Sequence, residues 1–100
     1  MIYIRTKENQ EKHDIGVGTL AGQVISVGWG TVRSDLPGNI KPLMINGFIP
    51  DVYAAHNGEE YVIEVETADS INTPHAMQQK IAFQAWASAS PKRRFEVKLL

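Results

Sequence analysis

Flanked by two runs of β-forming residues, the dipeptide Asn57-Gly58 constrains this chain more than any other feature. An Asn-Gly pair supplies the two positive-φ positions of a type I′ turn, the favoured link of a two-residue hairpin. Such a turn fixes the register of both strands. His56 pairs with Glu59, Asp51 lies opposite Glu64, and Ile49 lies opposite Glu66. Alternation then puts Asp51, Glu64 and Glu66 on one face of the sheet, with Val52, Ile63 and Val65 on the other. A three-residue loop with a bulge would shift this register and separate Asp51 from Glu64.

Directly opposed side chains have Cβ atoms ~5 Å apart, and like charges there are destabilising. Two physical situations tolerate three carboxylates in one patch. Either the face is solvated, as one face of a hairpin often is, or a hard cation offsets the repulsion. Mg²⁺ suits the second case, because it takes oxygen ligands and typically uses one or two carboxylates, retained waters and substrate phosphate.

The rest of the chain supplies a mixed α/β setting. His13, Val17, Leu20, Val24 and Val27 recur at helical spacing. They predict a first helix that starts between Lys7 and Asp14 and gives way near Gly28-Trp29-Gly30. Gly16, Gly18 and Gly22 weaken it, each by ~1 kcal/mol relative to Ala. Thr31-Val32-Arg33 suits a short strand, and Leu36-Pro37-Gly38-Asn39 a turn. Leu43 to Ala55 reads as extended, with a break at Asn46-Gly47, and the return strand spans Glu60 to Thr67. After a loop from Ala68 to Asn72, Thr73 is an N-cap and Pro74 a first helical residue. That second helix runs to about Ala89 and stops at Ser90-Pro91. The basic run Lys92-Arg93-Arg94 leads to a last strand, Phe95 to Leu100.

One hundred residues make one domain, residues 1–100, with one modest core. Apolar residues are 43% of the chain, which excludes a disordered class. No run of ~18 apolar residues predicts a membrane span, and the polar start from Met1 to Lys12 has no signal-peptide core. Cysteine is absent, so disulfides, thiolate metal sites and cysteine nucleophiles are excluded together. The expectation is a cytoplasmic protein. A net charge of −1 gives no basic surplus, so nucleic-acid binding would depend on local patches.

Gly47-Phe48-Ile49-Pro50-Asp51-Val52, a hairpin, then Tyr61-Val62-Ile63-Glu64-Val65-Glu66-Thr67 resembles the PD-(D/E)XK phosphodiesterase superfamily. The resemblance implies a small restriction-endonuclease-like core like that of Holliday-junction resolvases: a mixed sheet with a catalytic hairpin flanked by two helices. It implies that Asp51 and Glu64 bind Mg²⁺ or Mn²⁺, with the Val65 backbone carbonyl as a further ligand. The position two after Glu64 is usually lysine in this family and is Glu66 here, so standard activity does not follow. Some members carry the lysine on the next helix, where Lys80 lies with Gln84 one turn on. A helix-one acidic ligand of some members corresponds at best to Glu11. The implied function is a nuclease acting on DNA, structured or branched, as a homodimer. Two alternatives stay open: a catalytically degenerate relative that binds nucleic acid or a partner protein, and a small α/β interaction domain with an accidental motif.

Other residues have plainer readings. Lys80 could simply reach solvent, although Met77, Ile81, Ala82, Phe83, Ala85, Trp86 and Ala87 suggest a well-buried helix around it. His13, His56 and His75 have no metal-ligand spacing, and the last two are expected in solvent. Gly16 to Gly22 has one residue too many for a dinucleotide fingerprint. Lys92-Arg93-Arg94 reads as a solvated loop or a phosphate contact. Trp29 and Trp86 suit core or interface positions.

Overall fold

A computed structural model describes residues 6–100. The elements in order are α1 (Lys7–Ser26), β1 (Thr31–Ser34), β2 (Val52–His56), β3 (Glu59–Glu66), α2 (Pro74–Ser88) and β4 (Arg93–Leu99). The four strands form one mixed sheet in the order β1-β2-β3-β4. The β1–β2 and β2–β3 pairs are antiparallel, and β4 runs parallel to β3. Helix α2 is the crossover that a parallel pair requires. No helix among the described residues is long and apolar enough to cross a membrane.

Both helices start on threonine caps. The Thr6 side chain accepts a hydrogen bond from Asn9 N–H, and Thr73 accepts one from Ala76 N–H, each at 3.2 Å. Pro74 follows Thr73 at the first turn, where its missing N–H costs nothing. Asn57 and Gly58 have φ of 52° and 81°, as a type I′ turn demands, and His56 pairs with Glu59. The register expected from the dipeptide is the register observed, through to Val52 opposite Ile63.

The sheet separates two packed layers. On one face Val52, Ala54, Ile63 and Val65 meet Val17, Ala21 and Val24 of α1. Gly16 permits this approach: a Cβ there would lie 2.6 Å from Leu100 Cδ1 and 3.3 Å from Val65 Cγ1. On the other face α2 packs over β4, and the fully buried Phe83 stacks at a tilt on Phe95, ring centroids 5.6 Å apart.

Three expectations need correction. Leu43 to Ala55 is not one extended strand; only Val52–His56 joins the sheet. Upstream, the break expected at Asn46-Gly47 is present: both adopt positive φ and the chain folds back, with Ile45 bridging Phe48. Pro50, which cannot donate to a ladder, ends the pairing before Asp51. Helix α2 is also less buried than its composition suggested. Ala76, Phe83 and Ala87 point inward, whereas Met77 and Ile81 are exposed. Lastly, β4 begins at Arg93, so two of the three basic residues lie in the strand. Arg93 pairs with Glu60 at 3.2 Å and sits over the Trp86 ring, and Arg94 sits over Tyr61.

Phe83 is the largest fully buried side chain and packs between Phe48 and Phe95, so truncation leaves a cavity in the α2 face of the core. We expect Phe83→Ala to cost ~3–5 kcal/mol, measured by urea unfolding, against ~1 kcal/mol for Gly58→Ala at its positive φ.

Candidate metal centre

Where β2 begins, the hairpin brings Asp51 against Glu64 and Val65. Asp51 N–H donates to Glu64 Oε1 at 2.9 Å, and Val65 N–H donates to Asp51 Oδ2 at 2.8 Å. Both carboxyl groups are buried, Glu64 at 4% exposure and Asp51 at 9%. The ladder itself explains why these atoms meet. Continued by one pair, the register sets Val65 opposite Pro50, and proline has no N–H to give the Val65 carbonyl. The Val65 N–H turns instead to the Asp51 side chain. Proline and aspartate in sequence therefore open the ladder and place an acid in the opening.

The electrostatic cost is concentrated on Glu64. Burial is the largest cause, and the neighbouring Asp51 charge adds to it. Together they push the Glu64 carboxyl far above the ordinary range, although the Asp51 N–H partly opposes the shift. A hydrogen bond between the two carboxyl groups and the charge of Glu66 raise it further. In chemical terms Glu64 keeps its proton to higher pH than a free glutamate, and a divalent cation between the two carboxyl groups would relieve the same repulsion.

Glu66 is buried on the same face, and the Ser70 hydroxyl donates to its Oε2. Ser70 belongs to a tight turn after β3 in which Thr67 N–H donates to Ser70 Oγ and Ser70 N–H to the Thr67 carbonyl. A cleft of about 60 Å³ is lined by Asp51, Glu64, Glu66, Ser70 and, from α2, Gln79. This is room for an ion with a few waters. An adjoining cavity of about 410 Å³ is lined by Glu64, Glu66 and Lys80, with an apolar floor of Phe95, Val97 and Leu99.

Lys80 therefore shares a cavity with Glu64 and Glu66, whereas Gln84 is exposed and Gln79 is the glutamine that reaches the cleft. Glu11 is exposed and does not line the site. Helix α1 contributes His13 instead, one of the residues that sequence reasoning missed. It is 5% exposed, and its Nε2 lies 3.2 Å from Asp51 Oδ2 while Nδ1 lies 3.2 Å from Asp14 Oδ1. Its place on the apolar stripe of α1 was the one available signal, since a buried histidine needs polar partners. Ser70 and Gln79 gave none.

The donor set fits a hard cation. Asp51 and Glu64 offer carboxylate oxygens, and the Val65 carbonyl faces a residue without a donor. Among the described residues, no three His, Asp or Glu side chains are arranged to hold a metal ion alone. Two carboxylates with a carbonyl and waters match the small protein share that Mg²⁺ usually takes. His13 holds Asp51 from behind, the outer-shell arrangement that orients a ligating carboxylate.

A raised Glu64 value has a definite consequence for stability. The folded state binds this proton more tightly than the unfolded chain, whose glutamate titrates near 4.5. The stabilisation is complete below that pH and is lost as pH rises toward the folded value. Glutamine keeps the acceptor for Asp51 N–H and replaces the Glu64 proton with a fixed donor. We expect metal-free Glu64→Gln to exceed wild type by on the order of 1–3 kcal/mol at pH 7. The gap should close near pH 4.5, as measured by denaturant titration across pH. Against known proteins, no family model, no curated protein and no solved structure matches this chain.

Proposed function

We propose that the chain is a metal-dependent phosphodiesterase of the PD-(D/E)XK type, a nuclease acting on DNA. The observation that carries the reading is the contact of two buried carboxyl groups, Asp51 and Glu64, at the mouth of the hairpin. From α2, the exposed Lys80 lines a cavity with Glu64 and Glu66. The buried acids supply a place for a cation, and the lysine supplies positive charge where a phosphate would approach.

Asp51, Glu64 and the Val65 carbonyl would hold Mg²⁺ or Mn²⁺. Once bound, such an ion activates water as a nucleophile and offsets charge on the phosphate oxygens. His13 keeps Asp51 oriented through its Nε2. Lys80 takes the part of the lysine missing from the motif, neutralising charge as the phosphate becomes pentacovalent. Glu66 cannot supply that charge. As a carboxylate fixed by Ser70, it is suited to accept a proton from the attacking water.

A second reading has one specific observation in its favour, which is Glu66 itself. A carboxylate in the lysine position suits a catalytically degenerate module that keeps the fold and binds nucleic acid or a partner protein. Cleavage assays separate the two. Wild type should cut at least one of duplex, single-stranded or four-way-junction DNA when Mg²⁺ or Mn²⁺ is present. Asp51→Asn should abolish cleavage, and Lys80→Ala should lower the rate by roughly 10²–10³-fold. Metal-dependent cleavage that survives Asp51→Asn contradicts this site. Failure of wild type on all three substrates favours the degenerate module.

A further inference from the structure

We infer that the outer edge of β4 joins two copies of this chain into a symmetric dimer, by antiparallel β4–β4 pairing centred on Val97. The inference does not rest on nuclease activity. Strand β4 ends the sheet, and among the described residues no strand pairs with its outer side. A seven-residue unpaired edge is a template for another strand unless it is blunted by like charges, proline, a bulge or a cover. The charges of β4, Arg93, Arg94, Glu96 and Lys98, are of both signs, so they repel a second copy in some registers and attract it in others. Arg93 to Leu99 contains no proline.

The backbone fixes which residues face outward. Leu100 N–H donates to the Glu66 carbonyl, and the Lys92 carbonyl accepts from Glu60 N–H, so even-numbered residues of this segment turn to β3. Phe95, Val97 and Leu99 therefore present N–H and C=O to the open edge, whereas the Arg93 N–H is already donated to the Ser90 carbonyl at 3.2 Å. Antiparallel pairing must match these groups, which leaves only registers with like parity opposite each other.

Charge and hydrogen bonding together select among them. Centred on Phe95, a pair of strands sets Arg94 opposite Glu96 twice, but it also sets Lys92 against Lys98 and relies on the Arg93 N–H that Ser90 already holds. Centred on Glu96, a pair of strands sets Glu96 against Glu96 and Arg94 against Lys98, both repulsive. Centred on Lys98, it sets Lys98 against itself. Centred on Val97, it sets Glu96 opposite Lys98 twice, on the α1 face. On the α2 face the same register sets Val97 against Val97 and Phe95 against Leu99. The sequence Phe-Glu-Val-Lys-Leu is thus complementary to its own reverse, the requirement of a two-fold interface.

Exposed apolar residues gather along this edge on both faces. Leu99 is 57% exposed, Met77 and Ile81 of α2 are 57% and 69%, and Ile15 of α1 is 70%. Met77 and Ile81 are one helical turn apart on the helix that packs over β4, so they would meet their equivalents across the seam. Such a patch on an 11.1 kDa chain marks an interaction surface. The committed partner is a second copy because the edge complements itself. With one β4 pair at the centre, the two Asp51–Glu64 sites would lie on the same face, with the two Glu64 positions roughly 15 Å apart by strand spacing.

Sedimentation equilibrium of the full chain should give twice 11.1 kDa at micromolar concentration. Glu96→Lys alone and Lys98→Glu alone each turn both cross-strand attractions into repulsions. Each should weaken the dimer by roughly tenfold or more, while far-UV circular dichroism stays native. The double variant Glu96→Lys/Lys98→Glu restores opposite charges and should recover dimerisation. A monomeric wild type overturns the proposal. So do single variants that stay folded and dimerise as wild type does, or a folded double variant that remains as weak as the single ones.

Discussion

The register of one hairpin governs both the core and the site. Because Asn57-Gly58 fixes His56 opposite Glu59, every later pair follows, and β3 is divided cleanly between its two faces. Ile63 and Val65 go to the α1 core; Val62, Glu64 and Glu66 go to the α2 side. A slip of one residue would bury glutamates under α1 and expose the valines, which no local repacking could repair. The turn dipeptide therefore carries the hydrophobic core and the acidic cluster together.

Burying two acids in contact works against folding, and the fold accommodates this locally. Backbone N–H groups of Asp51 and Val65 each donate to a carboxylate, His13 braces Asp51, and Ser70 ties Glu66. These bonds hold the oxygens in place without removing the charge problem at Glu64, whose carboxyl remains protonated well above its ordinary range. Such residual strain at a single preorganised cluster is common where a protein binds something, since a scaffold gains nothing from it. The ladder opening at Pro50 has the same character: proline has no N–H to donate to the Val65 carbonyl beside the acids.

Much of this was legible in the sequence, because the decisive signals were local. A two-residue turn sets register by arithmetic, and Thr73-Pro74 marks a helix start on its own. The position of Lys80 beside Glu64 and Glu66 followed from the helix that Thr73 begins. What was not legible depended on distance or on context. His13 meets Asp51 across 38 positions, a meeting decided by how α1 crosses the sheet. Glu11, two residues before His13, points away to solvent, so a choice by residue type selected the wrong position. In the segment Leu43 to Ala55 the break expected at Asn46-Gly47 is present, whereas the extended reading of the rest failed before Val52, because Pro50 cannot join the ladder. The breadth of the apolar set on α2 was misleading for a different reason. Met77 and Ile81 lie on a side that the other described residues leave exposed.

If the acidic cluster exists to hold a cation, the protein binds one without any nucleic acid present. Calorimetric titration of Mn²⁺ into the wild-type chain at pH 7, with Asp51→Ala as reference, tests this most directly. We expect saturable binding of one ion per chain by wild type and none by Asp51→Ala. Absence of binding by the wild-type chain, or equal binding by both proteins, would contradict a metal centre at Asp51 and Glu64.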